Sequence, residues 1–588
     1  MRDDKSQRGF ALITVLMLLA LVMTLGLGYF TLTRIELSCA RSSMDSFRGF
    51  YAAEAGLNVR ADQVRQTFVG YNRPAGTSPS SGGGQIPCAS GNNGGGDFAC
   101  IGYGFQDRSV DTYLEEPAGN PSAIIIPRGE PYQNLHAQEY RYVVFSEARG
   151  PQNLPEAVLE MHFKSRLVPM FQFAVFYNKD LEILPGPDMT LAGPVHTNGD
   201  LYLGSHNTLD IVGQVTTAGD IYRGRKNENI CMTGPVRVAD PDSQTELPTC
   251  SAGRRLLQQS ALDAWNGMVR THLDPLTVPP PETLDPTPGE IYWDRADIRI
   301  VLDLNGATPA VEVRNADGST NALDTASLGL CGAAGHSGTL YNNREATFID
   351  TLDIDVEALL NCLHGSMLMG AGKDIDETSE GGLVWYLGVD GPNSSGVNSY
   401  GVRVHNGQEL ASTSATAPSI RGLTVVTNQA VYVQGDYNSV QKKPAAFLAD
   451  SLNILSNAWN DANSTAALSG RVASSTTVNA AFLAGTDTTG GVEGAGGQSL
   501  GLYNGGVENY PRFHENWSGR TFTYRGSFVS LNTPRHVNGA WVYGSPQYTA
   551  PGRDWGYDTD FNDAANLPPL SPRFVYLRQE LFVRQFDL

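Results

Sequence analysis

Oxygen ligands at alternate positions are the first feature of this 588-residue chain that could do chemistry. Asp558-Thr559-Asp560-Phe561-Asn562 sets three of them two residues apart, as the start of a calcium loop does. The pattern then breaks. Asp563 stands where such a loop turns on glycine, and Pro569 where it carries its bidentate glutamate. Asp558, Asp560 and Asn562 therefore stand as a calcium candidate beside a plainer reading, a capped turn whose aspartates bond their own backbone. His514-Glu515 opens a zinc-helix pattern that lacks its second histidine, and no phosphate loop of the G-x-x-x-x-G-K-[ST] type occurs. His196 and His206 lie by strands and turns, where surface or capping roles are expected. Asp374 with Asp376, and Glu377 with Glu380, read as solvated loops rather than paired glycosidase carboxylates. Trp517, Trp541 and Trp555 would suit a carbohydrate platform, but aromatic filling of a strand stack is the more ordinary use. The expectation is a chain that is no enzyme and holds no cofactor beyond the calcium candidate.

What must position these residues is a large exported body on an apolar stem. Five charges and Gly9 precede an uncharged run from Phe10 to Phe30, about the length a helix needs to cross a hydrocarbon core. Such a run satisfies its backbone in lipid only as a helix. It exceeds the apolar core of a cleaved signal peptide. Arg2, Lys5 and Arg8 on its short side assign that side to the cytoplasm and the bulk to export. Beyond it, Leu32, Ile35, Cys39, Met44, Phe47, Tyr51, Ala55 and Val59 recur at helical spacing, with no proline before Pro74. The expected helix is half in lipid and half amphipathic, a shape suited to packing against copies or relatives of itself.

Gln7-Arg8-Gly9-Phe10-Ala11-Leu12-Ile13, the leucine-rich run and Phe50-Tyr51-Ala52-Ala53-Glu54-Ala55-Gly56 resemble the N-terminal segment of PilX-type minor pilins, over about sixty residues. The resemblance implies cleavage by a prepilin peptidase between Gly9 and Phe10, followed by methylation of the new N-terminus. It implies helix packing through Leu16, Leu19 and Met23. The implied partners are the inner membrane and other pilins, and the implied destination is a pilus or the surface of a Gram-negative cell. At the fifth mature position the major pilins carry glutamate, whereas this chain has Thr14. That departure points to a minor subunit at a tip or in a priming complex, mediating assembly or adhesion. The alternative is an anchored surface adhesin, or a carbohydrate-binding or carbohydrate-processing protein, outside any pilus.

Composition bounds the rest. Forty-one basic against 61 acidic residues give a net charge of −20, which repels anionic polymers and argues against nucleic acid as a partner. Six of the seven cysteines fall in close pairs, Cys88 with Cys100, Cys231 with Cys250 and Cys331 with Cys362. In an oxidising compartment three local disulfides are the natural reading, although fifteen connectivities are formally open.

The strongest internal signal is a repeat. Gly193-Pro194-Val195-His196-Thr197-Asn198-Gly199-Asp200-Leu201-Tyr202 returns twenty residues later as Gly213 to Tyr222, and Val425-Val426-Thr427-Asn428 repeats its core. Alternating apolar positions between fixed turn glycines read as rungs of strands. The expected fold is mainly β with a long N-terminal helix, its exported domain a discontinuous parallel β-solenoid with an inserted subregion. The expected division is a leader over 1–9, a transmembrane helix over 10–32, a helical stem over 33–70 and a Gly/Ser/Pro linker over 71–98. A β-rich connector over 99–192, first rungs over 193–236, the insertion over 237–420 and further rungs with an aromatic-rich end over 421–588 complete it.

Overall fold

A computed structural model describes residues 7–69, 73–79, 87–88, 91–240, 243–487, 506–541, 544 and 546–585. The leader's Arg2 and Lys5, and part of the 71–98 linker, lie outside the described residues. Gln7–Val69 is one α-helix of 63 residues, about 95 Å long at 1.5 Å per residue. Its distal half lies against a six-stranded antiparallel sheet built around two long strands, His136–Arg149 and Pro155–Pro169. These strands alternate apolar and polar residues, so one face meets the helix and the other is free to be polar. The C-terminal strand Arg573–Gln585 pairs along Pro155–Pro169 and returns the end of the chain to the stem.

Beyond this sheet the strands are short, and the repeat explains their pairing. Val195–Thr197 lies parallel between Val175–Tyr177 and Val215–Thr217, with Val195 beside both Val175 and Val215. Each repeated residue type has a task at the turn. The Thr197 and Thr217 hydroxyls accept from the N–H groups of Gly199 and Gly219 at 3.1 and 3.0 Å. A Cβ at Gly199 would come within 2.4 Å of the Asp180 backbone nitrogen. Asp200 accepts from the Asp220 N–H at 2.9 Å, and Tyr202 stacks on Tyr222 at 5.0 Å.

The expectation of a discontinuous parallel β-solenoid with an inserted subregion is corrected by the sheet topology. The strands of the described residues divide over seven separate sheets, and only the five-stranded one is parallel throughout. The others contain antiparallel pairs, as where Ile221 meets Leu257 and Val238 meets Thr245. Nor does an insertion split two runs of rungs. Ile298–Asp303 and Leu383–Asp390 are neighbouring strands of the same eleven-stranded sheet that holds Val195–Thr197. The chain enters that sheet near its middle at Val175, steps outward to Val269, crosses to the far side at Ile298 and steps back. It closes where Phe528–Ser530 pairs with Val175–Tyr177. The physical reason is that a period of two fixes which residues face inward, whereas the pairing partner is set by apolar strands far away in sequence.

Disulfides join Cys88 to Cys100, Cys231 to Cys250 and Cys331 to Cys362. Cys39 is exposed on the stem helix.

Candidate functional site: the stem helix and its socket

Every residue of the helix from Phe10 to Met44 is exposed, Leu16, Leu19 and Met23 among them. This segment is long and apolar enough to cross a membrane. Its threonine hydroxyls are satisfied within the helix. Thr14 donates to the carbonyls of Phe10 and Ala11 at 3.0 and 2.9 Å, Thr24 to those of Ala20 and Leu21, and Thr33 to that of Tyr29. Such back-bonding is the form in which threonine is tolerated in a helix without water. Gly9 and Phe10 lie within the helix.

From Gly49 onward the helix enters its socket. The buried positions are Gly49, Ala52, Ala53, Gly56, Leu57, Arg60, Ala61, Val64 and Phe68, a stripe at three- and four-residue spacing. Small residues dominate its first half because the sheet comes very close. A Cβ on Gly49 would lie 2.5 Å from the Glu156 Cβ, and one on Gly56 2.7 Å from a Val110 methyl. Farther on, Phe68 packs its ring 4.9 Å from Tyr140. Polar clamps hold the stripe at its start and near its middle. Arg108 donates to Glu156 at 3.0 Å and to Asp45 of the helix at 3.0 Å, and hydrogen bonding to Glu156 raises its pKa. Buried Arg60 donates to the carbonyls of Asp97 and Ala99, the latter at 2.8 Å, while burial lowers its pKa. Phe50 meets Phe582 of the C-terminal strand edge-on at 6.0 Å.

The face read from the sequence is the opposite one. Met44, Phe47, Tyr51 and Val59 are exposed, Tyr51 at 64%. The helix thus carries two apolar faces, a small-residue face closed by its own sheet and a large-residue face continuous with the apolar run. The buried face was readable in principle from Gly49, Ala52, Ala53 and Gly56, but small residues weigh little in a hydrophobic pattern.

The other singled-out residues are spread through the body. Asp558 and Asp560 hold the Lys442 ammonium at 2.7 and 2.9 Å, and Asn562 accepts from the Tyr557 hydroxyl at 3.2 Å. Asp558 also caps its turn, accepting from the Asp560 N–H. Their oxygens thus serve an ammonium and local bonds, and the described residues gather no group of three or more metal-ligating side chains. His196 is fully buried between Thr216 and Asn198, at 2.8 and 3.1 Å, and burial pushes its pKa down to about 4. His206 is exposed in a turn. Glu515 accepts from the N–H and hydroxyl of Ser456 at 2.6 and 2.8 Å, and burial lifts it to about 7. Neighbouring His514 is pushed well down by burial and the Arg344, Arg512 and Arg471 charges. Asp374 accompanies His364 at 3.0 Å, Glu380 accompanies Arg295 at 3.4 Å, and Glu377 accepts from the Thr378 and Ser379 N–H groups. Trp517, Trp541 and Trp555 are buried, with no open aromatic face.

No protein-family model matches the chain. No curated protein matches it. Among solved structures, the competence-associated pilin ComZ from Thermus thermophilus is similar over 91% of this chain and 98% of its own, at 12% identity and a TM-score of 0.23. A superposition that loose leaves the functional reading to the stem helix and its socket.

Proposed function

We propose that this chain is a membrane-anchored, pilin-like subunit that enters a type IV pilus or related filament through its stem helix. The observation that carries the reading is the helix with two apolar faces. One face is closed by the chain's own sheet; the other runs exposed from Phe10 past Tyr51. An exposed apolar surface of this extent is one that lipid or neighbouring subunits cover. In this reading the chain sits in the inner membrane first and in the filament afterwards. A peptidase cuts between Gly9 and Phe10, and the new N-terminus is methylated. Thr14, whose hydroxyl is bonded to its own helix, offers neighbours no carboxylate. The subunit is therefore a minor one, at a tip or in a priming complex, and its role is structural rather than catalytic.

Co-expression with a prepilin peptidase tests the processing step: mass spectrometry of assembled protein is expected to find Phe10 at the N-terminus. An intact Met1 would remove the prepilin reading and leave a single-span anchor.

A second reading, an adhesin outside any pilus, has one observation in its favour. An open groove of about 740 Å³ is lined by Arg403, His405, Gln408, Gln434, Asp436 and Asn457 among others, a set of amides and charges suited to hydroxyl-rich ligands such as carbohydrates. Immunogold labelling separates the two, on filaments for the first and on the envelope alone for the second.

A further inference from the structure

Between the antiparallel sheet that holds the stem and the parallel ladders beyond it lies a cavity of about 870 Å³. Its charge runs against that of the molecule. Arg421, Lys443, Arg573 and His136 line it, with Glu380 as its carboxylate, in a chain of net charge −20. Glu380 already accompanies Arg295 at 3.4 Å.

Register makes the arrangement costly. Leu423 pairs in parallel with Ala445, and the Leu423 N–H donates to the Pro444 carbonyl at 2.9 Å. Arg421 and Lys443 each stand two residues before that pairing, outside the strands Leu423–Val426 and Ala445–Ala449, and both line the cavity. Like charges lining one cavity repel. Nearby Lys442 is neutralised by Asp558 and Asp560, but neither Arg421 nor Lys443 pairs with a carboxylate among the described residues. Lys443 donates to the Ser419 hydroxyl at 2.8 Å. Arg573 donates to Gln138 at 3.1 Å.

The rest of the wall mixes apolar residues with Gln138, Ser379, Ser419, Asn566 and Ser571. Ile124, Leu167 and Pro169 face it from one side and Leu567 from a strap formed by 564–571. The strap is clamped: the Thr424 hydroxyl donates to the Pro569 carbonyl at 2.6 Å and the Leu570 N–H to the Glu380 carbonyl at 3.0 Å. It rests on glycines, since a Cβ on Gly382 or Gly422 would come within 2.7 or 3.0 Å of the Pro569 ring. The cavity is thus preformed, which lowers the cost of filling it.

We infer that this cavity binds a small amphipathic anion, a carboxylate head between Arg421 and Lys443 with an apolar body against Ile124, Leu167, Pro169 and Leu567. This goes beyond the filament reading and is independent of it.

The test is calorimetry on the full chain in lipid nanodiscs, with empty nanodiscs as blank and phenylacetate, hexanoate, phenylacetamide and inorganic phosphate as probes. Saturable binding of the two carboxylates is expected, with phenylacetamide weaker by about tenfold or more because its neutral head forms no ion pair with Arg421 or Lys443. Inorganic phosphate, with no apolar body, is expected to bind more weakly than phenylacetate. The double variant Arg421→Gln with Lys443→Gln should lose the carboxylates while melting at an unchanged or higher temperature, since a repulsion has been removed. Absence of saturable carboxylate binding, equal binding of acid and amide, phosphate binding as tight as phenylacetate, or undiminished binding by a folded double variant would each overturn the inference. The acid–amide comparison uses the unmodified chain and so stays decisive if the variant misfolds.

Discussion

Thr14 and Glu515 answer the same problem, a polar group without water, in opposite ways. Thr14 returns its hydrogen bond to the carbonyls one turn back and needs no partner. Glu515 stays buried by keeping its proton: its pKa is about 7, against roughly 4.3 for a free glutamate. The folded chain therefore binds a proton that the unfolded chain has released. Stability from this group is full below the unfolded value and is lost as pH rises through about 7. Burial of neutral His196, at about 4, acts in the opposite direction: it favours the folded state increasingly as pH rises from about 4, and fully above the free histidine value. Comparison of variants separates the two. Relative to the unmodified chain, Glu515→Gln should flatten the loss of stability between pH 4.5 and 7 by a few kcal/mol, since a tenfold change in proton affinity is worth about 1.4 kcal/mol. Thermal melts of both proteins across that range measure it, and parallel curves would refute the buried-acid account.

At the scale of elements, the stem helix works because one of its faces is small. Gly49 and Gly56 let the helix approach within contact of Glu156, Val110 and Ser146, with Arg108 fixing the start of the buried stretch and Arg60 its middle. Gly56→Leu should push the helix off the sheet, since a Cβ there already comes within 2.7 Å of a Val110 methyl and 2.8 Å of the Ser146 hydroxyl. A destabilisation of about 1–3 kcal/mol is expected from such overpacking. Proteolysis should then reach the 49–68 segment while the strand ladders stay protected. If the ladders are lost at the same rate, the helix and ladders unfold as one unit and the socket is no separate element.

For the whole molecule, the path of the chain through the eleven-stranded sheet matters most. The strands at Val175 and Phe528 are neighbours though more than 350 residues apart, so each half of the ladder covers an edge of the other. A chain stopped after residue 505 would leave the Val175–Tyr177 edge open, and it would also lack the strand that pairs along Pro155–Pro169. It should lose protection throughout 175–217, far from the cut, as hydrogen exchange can read. Retained protection there would mean that the first repeats stand alone. The same closure brings 564–571 back across Gly382 and Gly422 and forms the seam cavity.

Local chemistry was legible in the residues. The apolar run, the helical spacing beyond it, the cysteine pairs and the twenty-residue repeat each depend on neighbours within a turn, a loop or one strand spacing. Val195 beside Val215 is such a case. What only the tertiary structure decided depends on residues hundreds of positions apart: which helix face is buried, the division of the strands into seven sheets, the place of Ile298–Asp303 within the main ladder, and the meeting of Arg421 and Lys443 at a cavity. Periodicity says which side of a strand is apolar. It does not say which distant strand covers that side, because every apolar edge in the chain competes for it and only the packed whole selects one.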